Sequence, residues 1–128
     1  MILLMIALPL LGNAKDDASM SRSSQYIQLK PAFTTNFGTK GRIAYVKAEI
    51  SLRVESPSAA ASVSRHMPFI RNNIVLLLSA QERDNLQSTQ AKEALRQSAL
   101  ADIQALMVTL EEEPMVQDLL FTTFVVQN

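Results

Sequence analysis

Residues 42–55 read Arg42-Ile43-Ala44-Tyr45-Val46-Lys47-Ala48-Glu49-Ile50-Ser51-Leu52-Arg53-Val54-Glu55. Ala44, Val46, Ala48, Ile50, Leu52 and Val54 occupy every second position, with Tyr45, Lys47, Glu49, Ser51, Arg53 and Glu55 between them. A period of two is the signature of a strand with one buried and one wet face. A one-residue slip would carry the charges inside, so the register is well specified. Upstream, residues 26–37 alternate as well. Ile27, Leu29, Phe33 and Phe37 point one way, and Gln28, Lys30, Thr34 and Asn36 the other. Pro31 has no N–H for a ladder and marks an edge or a bulge. Gly38-Thr39-Lys40-Gly41 joins the two runs as a turn, so an antiparallel hairpin is expected.

Downstream the period changes. Ser56-Pro57 supplies an N-cap and a proline for the first helical position. Val63, Met67, Ile70, Ile74 and Leu77 then follow one helical face. Pro68 lacks an N–H and crowds the carbonyl of Ser64, which predicts a kink. The four residues Val75, Leu76, Leu77 and Leu78 are apolar nearly all round the helix. They are a candidate packing or oligomer interface, with core burial as the plainer alternative. Ser79-Ala80-Gln81-Glu82 has the form of a capping box, which predicts a short helix after it. Ser88 or Thr89 caps a longer helix ending near Leu110, with Ala91, Leu95, Ala99, Ile103, Leu106 and Leu110 as its core stripe. Pro114 stops it. Residues 119–126, Leu-Leu-Phe-Thr-Thr-Phe-Val-Val, are apolar on both faces, which predicts a closing strand in a central, covered position. The order of elements is that of an α+β domain: hairpin, kinked helix, short helix, long helix, closing strand.

The chain has 128 residues, enough for one domain with a core. Residues 1–14 hold an apolar run ending in Gly12-Asn13-Ala14. The run is too short to span a bilayer and reads as a signal peptide or a truncated membrane anchor. Residues 15–25 are small and polar and read as a linker, leaving residues 26–128 as the domain.

Charge and chemistry exclude more than they indicate. Twelve Lys and Arg balance twelve Asp and Glu, which argues against a general nucleic-acid binder. The balance is uneven along the chain. Residues 1–75 carry nine cations and four anions, and residues 76–128 carry three cations and eight anions. Complementary halves compensate within one fold, or favour head-to-tail contact between protomers. There is no Cys, so no disulfide, thiolate zinc site or cysteine nucleophile is available. The single histidine, His66, has no carboxylate close to it in sequence to orient it as a base. Glu111, Glu112 and Glu113 sit at a helix C-terminus, where the macrodipole disfavours anions. They read as a solvated run, with a basic partner or calcium as the sharper alternatives. No phosphate-binding loop and no catalytic motif is present, so no enzyme activity, cofactor or metal is expected.

Four segments carry a resemblance. Tyr45-Val46-Lys47-Ala48-Glu49-Ile50-Ser51-Leu52 precedes a helix of sequence Arg65-His66-Met67-Pro68-Phe69-Ile70-Arg71-Asn72-Asn73-Ile74-Val75-Leu76-Leu77-Leu78-Ser79. Lys92-Glu93-Ala94-Leu95-Arg96 follows, and then Val116 to Gln127, ending in Leu120-Phe121-Thr122-Thr123-Phe124-Val125-Val126-Gln127. In this order they resemble the periplasmic domain of the flagellar basal body-associated FliL family. The resemblance implies a stomatin/prohibitin-like fold and a non-enzymatic role in the periplasm, at the inner membrane and flagellar basal body. It implies association with the motor stator of MotA–MotB type, homo-oligomeric rings, and support of torque, swimming and swarming. Arg65, Arg71 and Asn72 are the candidate partner contacts on the first helix. The alternative is a secreted FliL-like binding or envelope module that motility does not need.

Overall fold

A computed structural model describes residues 24–38 and 43–127. The apolar segment 1–14, most of the linker, and Thr39, Lys40 and Gly41 of the turn lie outside the described residues. Three strands form one antiparallel sheet in the order β1-β2-β3. They are β1 (Gln25–Phe37), β2 (Ala44–Val54) and β3 (Asp118–Gln127). Between β2 and β3 come α1 (Pro57–Arg65), α2 (Met67–Ser79), a 3-10 turn (Arg83–Leu86) and α3 (Thr89–Glu111). The domain is α+β. The helices supply one layer over the apolar face of the sheet, with α2 against β1, α3 against β3, and the two helices packed on each other.

The alternating run of β2 behaves as its period requires. Ala44, Val46, Ala48, Ile50, Leu52 and Val54 are all buried; on the face expected to be wet Tyr45 and Lys47 are exposed and Glu49 and Arg53 half-buried, while Ser51 departs from the pattern and is buried. Leu29, Phe33 and Phe37 bury on the same face from β1. β1 starts at Gln25, opposite Val54, one residue earlier than its apolar pattern. Both neighbours of β2 are irregular at one level. In β1 three residues, Lys30 to Ala32, stand opposite Glu49, so Pro31 sits in a bulge. In β3 the register shifts by one at the same place, and Thr122 is the extra residue. That shift turns both Phe121 and Phe124 toward the core side, where their rings meet edge to face at 5.0 Å.

β3 occupies an edge, which corrects the central position expected for it. Strand order is set by pairing, and β2 alone pairs on both sides among the described residues. Of β3 only Leu119 is fully buried, and Val125 is exposed.

Helix boundaries follow from local chemistry. Ser56 is extended, at φ −153° and ψ 157°, and its Oγ accepts from the Ala59 N–H at 3.0 Å. Ser88 does the same for α3, accepting from the Ala91 N–H. Residues 89–111 hold no Gly or Pro and are rich in Ala, Leu and Gln, all strong helix formers. The helix break falls at His66 (φ −102°, ψ 15°) rather than at Pro68. Pro68 is the second residue of α2, where a missing N–H leaves no bond unmade. Ser79 does not open a capping box. It remains in α2, its hydroxyl donates to the Leu76 carbonyl at 3.0 Å, and Gln81 Nε2 donates to the Leu77 carbonyl at 2.9 Å. Both side chains serve the carbonyls left over at a helix end. The following turn starts from the extended Glu82, which makes no side-chain capping hydrogen bond.

In α3 the buried row is Leu95, Ala99, Ile103 and Met107. Spacing of four throughout makes the stripe slant round the helix, so Met107 is buried where Leu106 was expected, Leu106 is half-buried, and Leu110 is exposed. Glu112, at φ 67°, ends the helix in the left-handed region, its N–H bonded to the Val108 carbonyl. Met115, at φ 59°, is left-handed too. Two such residues without glycine are held by their surroundings: Val116 is buried, its carbonyl accepts from Gln104 Nε2, and the Gln117 N–H donates to the Arg53 carbonyl.

Candidate functional site

The α1–α2 elbow presents the residues singled out from sequence, and the structure distributes them among three neighbours. Arg65, the last residue of α1, donates from Nη1 to Glu111 Oε1 at 3.1 Å. His66 Nε2 lies 2.7 Å from the same oxygen. The carboxylate that appeared absent around His66 is therefore supplied by the end of α3. Glu111 is also no longer an anion stranded at a helix C-terminus, because two basic side chains meet it. The pair His66–Glu111 has the form of a base and its orienting acid. Among the described residues no hydroxyl bonds to His66, so the arrangement ties the elbow to α3 and delivers no nucleophile. The Arg65 side chain keeps 62% of its surface in water, so the tie leaves much of its guanidinium accessible.

Arg71 turns to β1. Its guanidinium carbon lies 4.2 Å from the Phe33 ring centroid, and its Nη1 is buried without a hydrogen-bond partner. The face of an aromatic ring substitutes part of the lost hydration. Arg71 is thus a packing residue over the core as well as a surface cation. Asn72 is exposed. The apolar quartet divides: Leu78 is buried at 1% exposure, Leu77 is half-buried, and Val75 and Leu76 are exposed, Leu76 to 59%. Phe69, one residue the sequence reading passed over, is 57% exposed and lies two turns before Leu76 on α2. Its spacing of seven from Leu76 would have revealed a shared stripe. A shallow cavity of about 530 Å³ between α2 and α3 adjoins this stripe, lined by Asn73, Leu76, Leu77, Ala80, Ser98 and Asp102. One carboxylate, one amide and one hydroxyl among alkyl groups give shape and apolar contact but no acid–base pair. Among the described residues no cluster of three potential metal ligands exists.

A second polar centre lies where α3 meets β3. Arg96 donates to both Glu93 oxygens, to Asp118 Oδ1 at 2.7 Å and to the Leu119 carbonyl at 3.2 Å. The hydrogen bonds from Arg96, foremost, hold the Glu93 carboxyl down to about 2, and in return the guanidinium is held charged more firmly than usual. The Leu119 N–H is taken by Asp118 Oδ1 at 2.8 Å. Arg96 thereby fixes the first step of β3 to α3. The spacing of three between Glu93 and Arg96 was visible in the sequence, but the reach to Asp118 was not.

Residues 26–127 match the family described as flagellar basal body-associated protein FliL. Flagellar protein FliL of Escherichia coli K12 is 26% identical over 116 residues, which cover 89% of this chain and 74% of that relative. Flagellar protein FliL of Aquifex aeolicus is 26% identical over 100 residues, covering 78% of this chain and 60% of the relative. The family is one of flagellar structural proteins and not an established enzyme family. Among the described residues no helix is long and apolar enough to cross a membrane. With the family match running over residues 26–127, through the three strands and three helices, the chain belongs to the FliL family of flagellar basal body-associated proteins.

Proposed function

We propose that the protein is a non-enzymatic partner of the flagellar stator, of MotA–MotB type, acting in the periplasm at the inner membrane and supporting torque, swimming and swarming. The observation that carries this reading is the family match over residues 26–127, nearly the whole folded domain. The outer stripe of α2 supports it: Phe69 and Leu76 stand exposed beside Asn72, as an interaction surface requires. The separation of charge between residues 1–75 and 76–128 suits a ring of protomers in head-to-tail contact. The segment 1–14 would anchor or export the domain.

A clean deletion strain in soft agar, with filaments counted by microscopy, tests the role. Weak swimming with normal filaments is the expected result. Normal swimming and swarming would overturn it in favour of a FliL-like envelope module outside motility. For the contact itself, Arg71→Glu would unseat a side chain packed on Phe33, so Asn72→Arg is the cleaner probe. It is expected to weaken swimming while leaving the thermal midpoint in place.

A further inference from the structure

We propose that the free edge of β3, together with the flank of α3, is a docking groove for an extended peptide that adds to the sheet as a fourth strand and turns both apolar and acidic side chains, at every second position, toward the groove. The inference rests on geometry and charge and does not depend on the stator reading.

The groove begins where Arg96 and Asp118 occupy the polar backbone groups of Leu119. Beyond that step, no strand among the described residues pairs with the outer side of β3. Two adjoining hollows of about 410 and 310 Å³ follow the strand to Val126 and share Lys92 as a wall. Their floor includes Phe121, Phe124 and Val126, all only partly covered. Such a floor accepts alternate side chains of an added strand while the main chain supplies the hydrogen bonds. About seven residues, roughly 20 Å of extended chain, would fill it.

Charge selects the occupant. Residues 76–128 contain three cations among eleven charged residues, and all three, Arg83, Lys92 and Arg96, line this groove. Arg96 is engaged by Glu93 and Asp118. Arg83 and Lys92 have no carboxylate partner among the described residues, and the Lys92 ammonium is held 5.6 Å from the Phe124 ring centroid. In the acidic half of the chain, the two unpaired cations therefore flank the apolar floor. Carboxylates on the incoming strand would complete them and steer its approach.

The test uses the 128-residue chain and a fluorescein-labelled eight-residue peptide that carries Val, Glu, Leu and Glu at every second position with Thr between them, read by anisotropy. Saturable binding is expected. It should weaken about tenfold or more in Arg83→Glu/Lys92→Glu, with circular dichroism confirming the fold. A peptide with Lys in place of Glu should bind as weakly as that variant does. On the wild-type chain, alternate N-methylation of the peptide backbone should abolish binding, which probes the strand pairing without any protein variant. Equal binding of the Lys peptide, or of the N-methylated one, would overturn the proposal. So would sedimentation showing that a second copy of the chain occupies the groove and excludes the Glu peptide.

Discussion

Along its free edge β1 carries Lys30 and Pro31, and its exposed positions are mostly polar: Gln25, Gln28, Thr34 and Asn36. Along its own free edge β3 carries neither charge nor proline from Leu119 to Val126. Proline and lysine are the usual means of keeping a sheet edge from pairing with another chain. The two edges share one sheet and one central partner, yet only β1 is guarded in this way. β3 relies on the Thr122 bulge and on Arg96 at its first step. The difference teaches that apolar character on both faces of a strand does not report its place in the sheet. It reports what covers the faces, while position is decided by which backbone finds a partner.

The largest way to test this contrast is at its aromatic anchors. Phe33 of β1 is 1% exposed and supports Arg71, so Phe33→Ala should destabilise by about 3–5 kcal/mol in urea denaturation. Phe124 of β3 is only half-buried, and Phe124→Ala should lose about 1–2 kcal/mol. Equal losses would mean that both edges are equally embedded, and the contrast would fail.

Next come the helix caps. Ser88→Ala frees the Ala91 N–H and should lower stability by about 1 kcal/mol. Faster hydrogen exchange should appear in the first turn of α3, the wall beside β3, and leave β1 protected. Exchange spreading evenly over both edges would show that α3 does not frame β3 alone.

Acid provides a finer distinction. Glu93 is depressed from 4.5 to about 2 in the folded chain by Arg96. The unfolded chain therefore binds the proton more readily in that window, and the stability is present above about pH 4.5 and lost as pH falls toward 2. Because Glu93 is solvent-exposed, the effect should be shallow. A thermal midpoint followed against pH should show it, and Glu93→Gln should flatten that part of the curve. An unchanged curve would remove the Glu93–Arg96 pair from the account of how β3 is held.

The smallest effect is expected from Val125→Glu. Val125 is exposed and stands opposite Lys47, so a cross-strand ion pair offsets the lost strand preference. Stability should change by less than about 0.5 kcal/mol by calorimetry. A larger loss would show that the outer face of β3 is more deeply packed than its exposure indicates.

Much of the fold was legible in the sequence wherever the information is local. The alternation over residues 42–55, the serines at 56 and 88 and the run without glycine or proline over 89–111 each act within a few residues. The capping box at Ser79 misled because the same residue types serve either end of a helix, and only the chain's course decides which. Of the candidate site, the exposure of Asn72 was legible from helical spacing. The stacking of Arg71 on Phe33 was not, since the partner lies on another element.

Period, capping and breakers, which are short-range steric and hydrogen-bonding preferences, determined from the sequence alone that a hairpin, a broken helix, a long helix and a final strand would form. Tertiary structure decided the rest. It placed β3 at an edge, brought Glu111 to Arg65 and His66 across 46 and 45 residues, and gathered Arg83, Lys92 and Arg96 beside β3. These meetings depend on chain closure and on the packing of helices over a shared apolar face, which no short window of sequence contains.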